Sequence, residues 1–161
     1  MSSQRIEPEA AMGEQWRHQG VRIVGADEFD ENTMQTAGMY RRAAVSAASA
    51  GASKIWAGVV TIVPDARTGP HHHGPLESVI YVVRGLARMR WGDQLEFVAE
   101  ANAGEFIYVP PFVPHQEING STEEDLYCVI VRSDQEPVVV NLDIDAVEAP
   151  TNITWKDPHH P

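Results

Sequence analysis

The sequence predicts an all-β fold, a barrel or sandwich of short strands, on three observations. Apolar and β-branched runs recur along the middle of the chain, each only a few residues long. Each run is closed by turn chemistry: Gly, Pro-Asp, Gly-Asp, Pro-Pro or Ser-Asp. Finally, 161 residues suit one domain with a core of its own. Short strands at such spacing read as a closed or two-layered β architecture.

Taken in order, residues 1–38 are expected to form an N-terminal arm. They are polar, carry the acidic run Asp27-Glu28-Phe29-Asp30-Glu31, and hold one short apolar stretch from Val21 to Val24. Trp16 and Ile23 predict that the arm packs on the body. The barrel is expected over 39–144. Its first stretch, Arg42 to Ala52, has alanines that favour helix but also Val45, Ser46 and Gly51, which favour a strand and a turn; the strand is preferred. Lys54 to Val63 is a β-branched run closed by Pro64-Asp65. Strands follow at Glu77 to Val83, Leu86 to Trp91, Gln94 to Ala99, Glu105 to Val109, Asp125 to Val131 and Pro137 to Ile144. The segment 145–161, rich in Pro, Asp and Thr, is expected to be an extended tail that wraps or hangs free.

Charge and composition exclude several classes. The formal net charge of −11 opposes binding to nucleic acid or an anionic membrane, both of which need a basic footprint. A single cysteine, Cys128, permits neither an internal disulfide nor a thiolate zinc cluster, and is expected to be a buried, inert thiol. No apolar run is long enough for a membrane span and no secretory leader is read, so the expected location is cytoplasmic. Phosphate-binding glycine loops and the Gly-x-Ser-x-Gly elbow are missing.

The chemistry lies in the histidines. His71 and His73 are two residues apart, so on a strand they point the same way. Glu77 follows close behind, and His115 comes just after the stiff Pro110-Pro111-Phe112-Val113-Pro114 segment. Three imidazoles and a carboxylate make a first-row transition-metal set; without thiolates it suits iron, manganese, nickel, cobalt or zinc. Such a set leaves positions free on a six-coordinate ion, as a catalytic site requires. The histidines near the end, His159 and His160, are weaker candidates.

Two longer stretches carry a family resemblance. Thr68-Gly69-Pro70-His71-His72-His73-Gly74-Pro75-Leu76-Glu77, with Gly85 beyond the next strand, resembles the first motif of the cupin superfamily. Gly104 to Asn119 resembles the second, with Gly104, Pro110, His115 and Asn119 on the family's spacing. The resemblance implies a double-stranded β-helix, a jelly-roll-like barrel with one metal in its mouth. It also implies His71, His73, Glu77 and His115 as the ligands.

Two departures bear on that implication. Seven residues separate Glu77 from Gly85, one more than the family's pattern. An extra residue flips a strand's side chains to the other face unless a bulge absorbs it. Glu77 is preferred as a ligand; otherwise Ser78 points inward, and Glu77 serves beside the site as an acid or base. The second departure is Phe112, where the family often has glycine; it is expected to form an apolar wall of the pocket.

His72 should face away from its neighbours. On Leu86 to Trp91, the inward set is expected to be Ala87, Met89 and Trp91, with Arg88 and Arg90 outside; an arginine turned inward would grip a substrate carboxylate. Tyr81, Tyr108 and Tyr127 lie in β-runs, and Tyr81 is taken as the catalytic proton donor. Gln116 or Glu117 is expected to hydrogen-bond near the site.

The functional expectation is therefore a mononuclear metal-dependent enzyme acting on a small organic molecule. A non-haem iron dioxygenase comes first. A manganese, nickel or zinc Lewis-acid decarboxylase, isomerase or lyase is the alternative, with a non-catalytic binding barrel third. A homodimer formed through arms or edge strands is expected from the fold type.

Overall fold

The computed structural model of the protein describes residues 20–156 and 158–159. Two sheets face each other across one apolar core. The first has β1 (Met39–Val45), β2 (Trp56–Ile62), β4 (Ser78–Arg84), β7 (Phe106–Val109) and β9 (Leu126–Arg132), in the order β1-β2-β9-β4-β7. The second has β3 (His71–His72), β5 (Leu86–Trp91), β6 (Phe97–Asn102), β8 (His115–Asn119), β10 (Val140–Asn141) and β11 (Thr151–Asn152), in the order β10-β3-β8-β5-β6-β11. Neighbouring strands are antiparallel except β11 with β6. This is the all-β, double-stranded β-helical architecture predicted.

The stretch from Arg42 is both things its sequence suggested. β1 runs to Val45, and the helical turn α1 (Ala47–Ala50) follows. The Ser46 hydroxyl accepts the Ser49 N–H at 3.2 Å to cap it, and Gly51 in the left-handed conformation ends it.

Period-two alternation builds the core. Met39 and Ala43, Val60 and Ile62, Ile80 and Val82, Ala87 and Met89, and Leu126, Cys128 and Ile130 all turn between the sheets. Full burial of side chains such as Leu126 and Val82 is worth about 1.5–3 kcal/mol each. Ala87 and Met89 face inward as expected. Arg88 lies outside against Glu100 at 2.7 Å, and Arg90 donates to the carbonyls of Leu95 and Val147.

The extra residue between Glu77 and Gly85 is absorbed by a bulge, but at the far end of β4. Val82 pairs with Cys128 and Arg84 with Tyr127, leaving Val83 without a partner. Upstream of the bulge the alternation is undisturbed: Ser78, Ile80 and Val82 are buried, and Glu77 and Val79 are exposed. Gly85 then turns the chain at φ 99°, where a Cβ would stand 2.8 Å from the Asp125 carbonyl oxygen.

The segments on either side of the barrel lie against its edges. Asp30 and Ala43 exchange two backbone hydrogen bonds of 2.8 Å, and the Gln35 side chain bonds both the N–H and the C=O of Arg41. The expected packing of Ile23 does not occur, since Val21 and Ile23 are 92% and 91% exposed. Trp16 lies outside the described residues. The tail wraps: the Thr151 and Ile153 N–H groups donate to the carbonyls of Glu96, just before β6, and Val98 within it, and Arg90 holds Val147. It thereby covers the open edge of β6, while β10 covers β3.

Candidate metal centre

Local backbone chemistry brings three histidines to one point. Thr68 anchors the chain before β3: its N–H bonds the Glu117 carbonyl at 2.9 Å, and its hydroxyl accepts the Glu117 N–H at 3.0 Å. His71 is thereby paired directly with His115 of β8. His73 follows on the same face, and all three are buried. Their ligand atoms lie within 4.8 Å of one another, and the ring centroids of His71 and His115 are 4.4 Å apart.

The remaining ring nitrogens are already committed. Nδ1 of His71 donates to Gly69 O at 2.8 Å, Nδ1 of His73 to Val138 O at 2.8 Å, and Nδ1 of His115 to Val113 O at 2.9 Å. A carbonyl only accepts, so each Nδ1 carries the proton and each Nε2 keeps its lone pair. Nε2 of His115 is buried without a hydrogen-bond partner. Burial lowers the pKa of His71, and takes that of His73 down to about 4, which favours the neutral form of these two rings near pH 7. Neutral imidazoles, tautomers fixed by backbone acceptors and lone pairs converging are what a divalent first-row ion takes. The cluster is suited to a metal.

Glu77 is not among the convergent donors. It is exposed on the outer face, where Tyr108 Oη donates to its Oε1 at 2.5 Å and its own N–H bonds Ser133 Oγ. This corrects the expected four-residue set. Ser78 takes the inward place, because the bulge lies too far along β4 to return Glu77 to the inner face.

Tyr81 is also displaced from the expected role. It alternates with the buried Ile80 and Val82 and packs its ring against exposed Phe106, with centroids 4.8 Å apart, so no hydroxyl from it reaches the histidines. Tyr127 alternates with buried Cys128. Phe112 does not wall the pocket. It is 62% exposed with φ 61°, the left-handed conformation that explains a glycine preference there, and packs on His72 outside. His72 faces away as expected, its Nδ1 accepting the Gly74 N–H. His159 is exposed; His160 lies outside the described residues. Cys128 is buried and its thiol pushed up to about 12 by desolvation, which makes it inert.

A pocket of about 360 Å³ opens onto His71 and His73. Residues of the N-terminal segment, Asn32 to Met34 and Thr36, form one wall, and Trp56, Pro137 and Val139 supply apolar surface. Two charged residues at the site, Arg41 and Arg132, carry no assignment from the sequence, which places only Gln116 or Glu117 in hydrogen bonds near the site. Arg41 and Arg132 line the pocket. Glu117, two residues beyond His115 on the same side of β8, lies beneath it with its carboxylate 4.0 Å from the Arg41 guanidinium. Burial pushes the Glu117 carboxyl up, but His115, His71, Arg41 and His73 together outweigh it, and the net shift is downward. Strand phase points to both arginines, since Arg41 falls between inward Met39 and Ala43 and Arg132 continues Leu126, Cys128 and Ile130; it likewise puts Glu117 between inward His115 and Asn119.

Comparison with known proteins agrees with this geometry. Residues 58–132 match the family model described as a cupin domain. The barrel superposes on the polyketide cyclase RemF from Streptomyces resistomycificus with a TM-score of 0.64 and 22% identity, over 81% of this chain and 89% of that one. It also superposes on KdgF from Halomonas sp., with a TM-score of 0.58 and 18% identity, over 72% and 96% of the two chains. An oxalate decarboxylase from Bacillus subtilis aligns with a TM-score of 0.57 and 22% identity, over 68% of this chain but only 29% of the other. At these identities the likeness is one of fold. No curated protein sequence matches the chain significantly. No helix among the described residues is long and apolar enough to cross a membrane.

Proposed function

We propose that the protein is a mononuclear metal-dependent enzyme acting on a small organic substrate, with His71, His73 and His115 holding the ion. The observation that carries this reading is the convergence of three buried imidazoles whose Nδ1 atoms are all tied to backbone carbonyls. A pocket of about 360 Å³ beside them is of a size for a small molecule.

The donor set bears on the reaction class. With no carboxylate among the donors, a divalent ion keeps its full charge and supplies Lewis acidity toward a carbonyl or carboxylate. The chain's residues do the rest. The apolar wall of Trp56 and Val139 sheds water from the substrate, and the Glu117 carboxylate, facing Arg41 and the histidines, offsets positive charge at the cluster. Decarboxylation, isomerisation or elimination is therefore the leading class. The iron dioxygenase expected from sequence is the second reading. It draws on the donor count, since three protein ligands leave a six-coordinate ion room for substrate and a further small ligand.

The test is turnover of a panel of small organic acids by protein reconstituted with iron, manganese, nickel or zinc, with and without oxygen. The leading reading expects product in the absence of O₂, and a requirement for O₂ with iron alone establishes the second. Failure of every metal-loaded form to hold or use a substrate would overturn both.

A further inference from the structure

Two arginines beside the histidines have little to hold. Arg132 is largely buried, with its guanidinium 5.0 Å over the Trp56 ring; its Nε has no hydrogen-bond partner, and it forms no ion pair among the described residues. Arg41, with its side chain 11% exposed, donates to Thr36 Oγ1 at 3.0 Å. It faces Glu117 only at 4.0 Å and also leaves Nε unpartnered. Both line the pocket that opens onto His71 and His73. A guanidinium presents five N–H donors and cannot shed its charge, so burying two of them beside one buried carboxylate leaves donors free to take an anionic ligand. By contrast, Arg88 and Arg90 on the outer face are satisfied by Glu100 and by carbonyl oxygens. Asp134 and Glu136 also line the pocket, but both are exposed, whereas the two guanidiniums are largely buried.

We infer that Arg41 and Arg132 form a clamp for the carboxylate of the substrate, so that the protein acts on a small organic acid. The planar fork of a guanidinium matches a carboxylate in two parallel hydrogen bonds. Trp56, Met34 and Val139 provide apolar walls for the rest of such a molecule. The N-terminal segment takes part through Thr36, which fixes the Arg41 fork, and through Gln35, which holds the Arg41 backbone. The inference rests on the proposed function for its reaction but not for its binding chemistry, since neither arginine is among the metal donors.

The experiment is calorimetric titration of the full chain, once metal-loaded and once stripped by chelator. The probes are benzoate and malonate, their neutral amides benzamide and malonamide, and inorganic phosphate. The expected result is binding of at least one acid, tenfold or more tighter than its amide, in both forms of the protein. Arg132→Met and Arg41→Met should each weaken acid binding tenfold or more while metal content stays at the wild-type level, with Arg132→Lys restoring part of the loss. No binding of either acid, equal binding of acid and amide, phosphate binding as tight as the acids, or unchanged acid affinity in both methionine variants would overturn the clamp. If a variant does not fold, the comparison of acid with amide on the wild-type protein decides. A wild-type chain that takes up no metal would sink the proposed function, yet the stripped-protein titration would still judge the clamp.

Discussion

Tyr108 donates its phenolic proton to Glu77 at 2.5 Å on the outer face of the barrel, on the opposite side of the β4–β7 pair from the core. The contact holds a carboxylate out of reach of a metal site that its sequence position suggests it joins. It also raises the tyrosine pKa, the bond to Glu77 being the leading cause.

Glu77→Gln is therefore expected to leave metal stoichiometry and metal affinity unchanged. Stability should stay close to that of the wild type, as for other exposed polar pairs. Metal analysis and thermal denaturation of the variant check this. A tenfold or greater loss of metal affinity would return Glu77 to the donor set.

Acid should destabilise the metal-free protein well before its carboxylates are all protonated. The folded-state pKa of His73 is about 4 and that of His71 is also lowered, so the unfolded chain binds more protons below about 6.5. Stability should be flat above that pH and fall as pH drops toward 4. The downward shift of Glu117 acts in the same direction, because its contribution is lost as it protonates. Urea midpoints measured from pH 8 to pH 4 in the presence of chelator test the sign. A midpoint that holds or rises on acidification would contradict it.

Glu117→Gln removes the carboxylate that faces buried Arg41 and the histidines. The expected cost is about 1–3 kcal/mol in the metal-free protein, the range for leaving a buried charged group without its partner. A denaturation midpoint unchanged from wild type would show that the 4.0 Å separation already makes the pair negligible.

Gly85→Ala should cost about 1–3 kcal/mol from the φ of 99° alone. The added methyl also meets backbone, at 2.8 Å from Asp125 O and 3.1 Å from Leu126 Cα, where a rotamer change offers no relief. A melting temperature several degrees lower is the expected reading, at about 2–4 °C per kcal/mol for a chain of this size.

Much of the barrel was legible because period-two alternation is written in the residues. Leu86–Trp91 appears with the expected bounds and inward set. The bulge was the limit. Sequence counts seven residues between Glu77 and Gly85, but only the pairing shows the extra one at Val83 rather than nearer the site. That single placement decides whether Glu77 or Ser78 faces the histidines.

Tyr81 was misplaced for a related reason: an aromatic in a strand can face either side, and its phase follows from the buried Ile80 and Val82. Arg41 and Arg132 are hard to read from sequence because an arginine in a strand ordinarily faces solvent, and only the barrel's register turns these two inward. The β11 pairing of the tail depends on contacts with β6 far away in sequence, which local propensity does not encode.

The most direct test of the central claim is metal counting on protein purified without an affinity tag or chelator, alongside His73→Ala and His115→Ala. The account predicts about one first-row ion per wild-type chain, and loss of that ion together with a lower melting temperature in each variant. Wild-type protein that holds no stoichiometric metal after reconstitution, or variants that keep it with unchanged stability, would contradict the account.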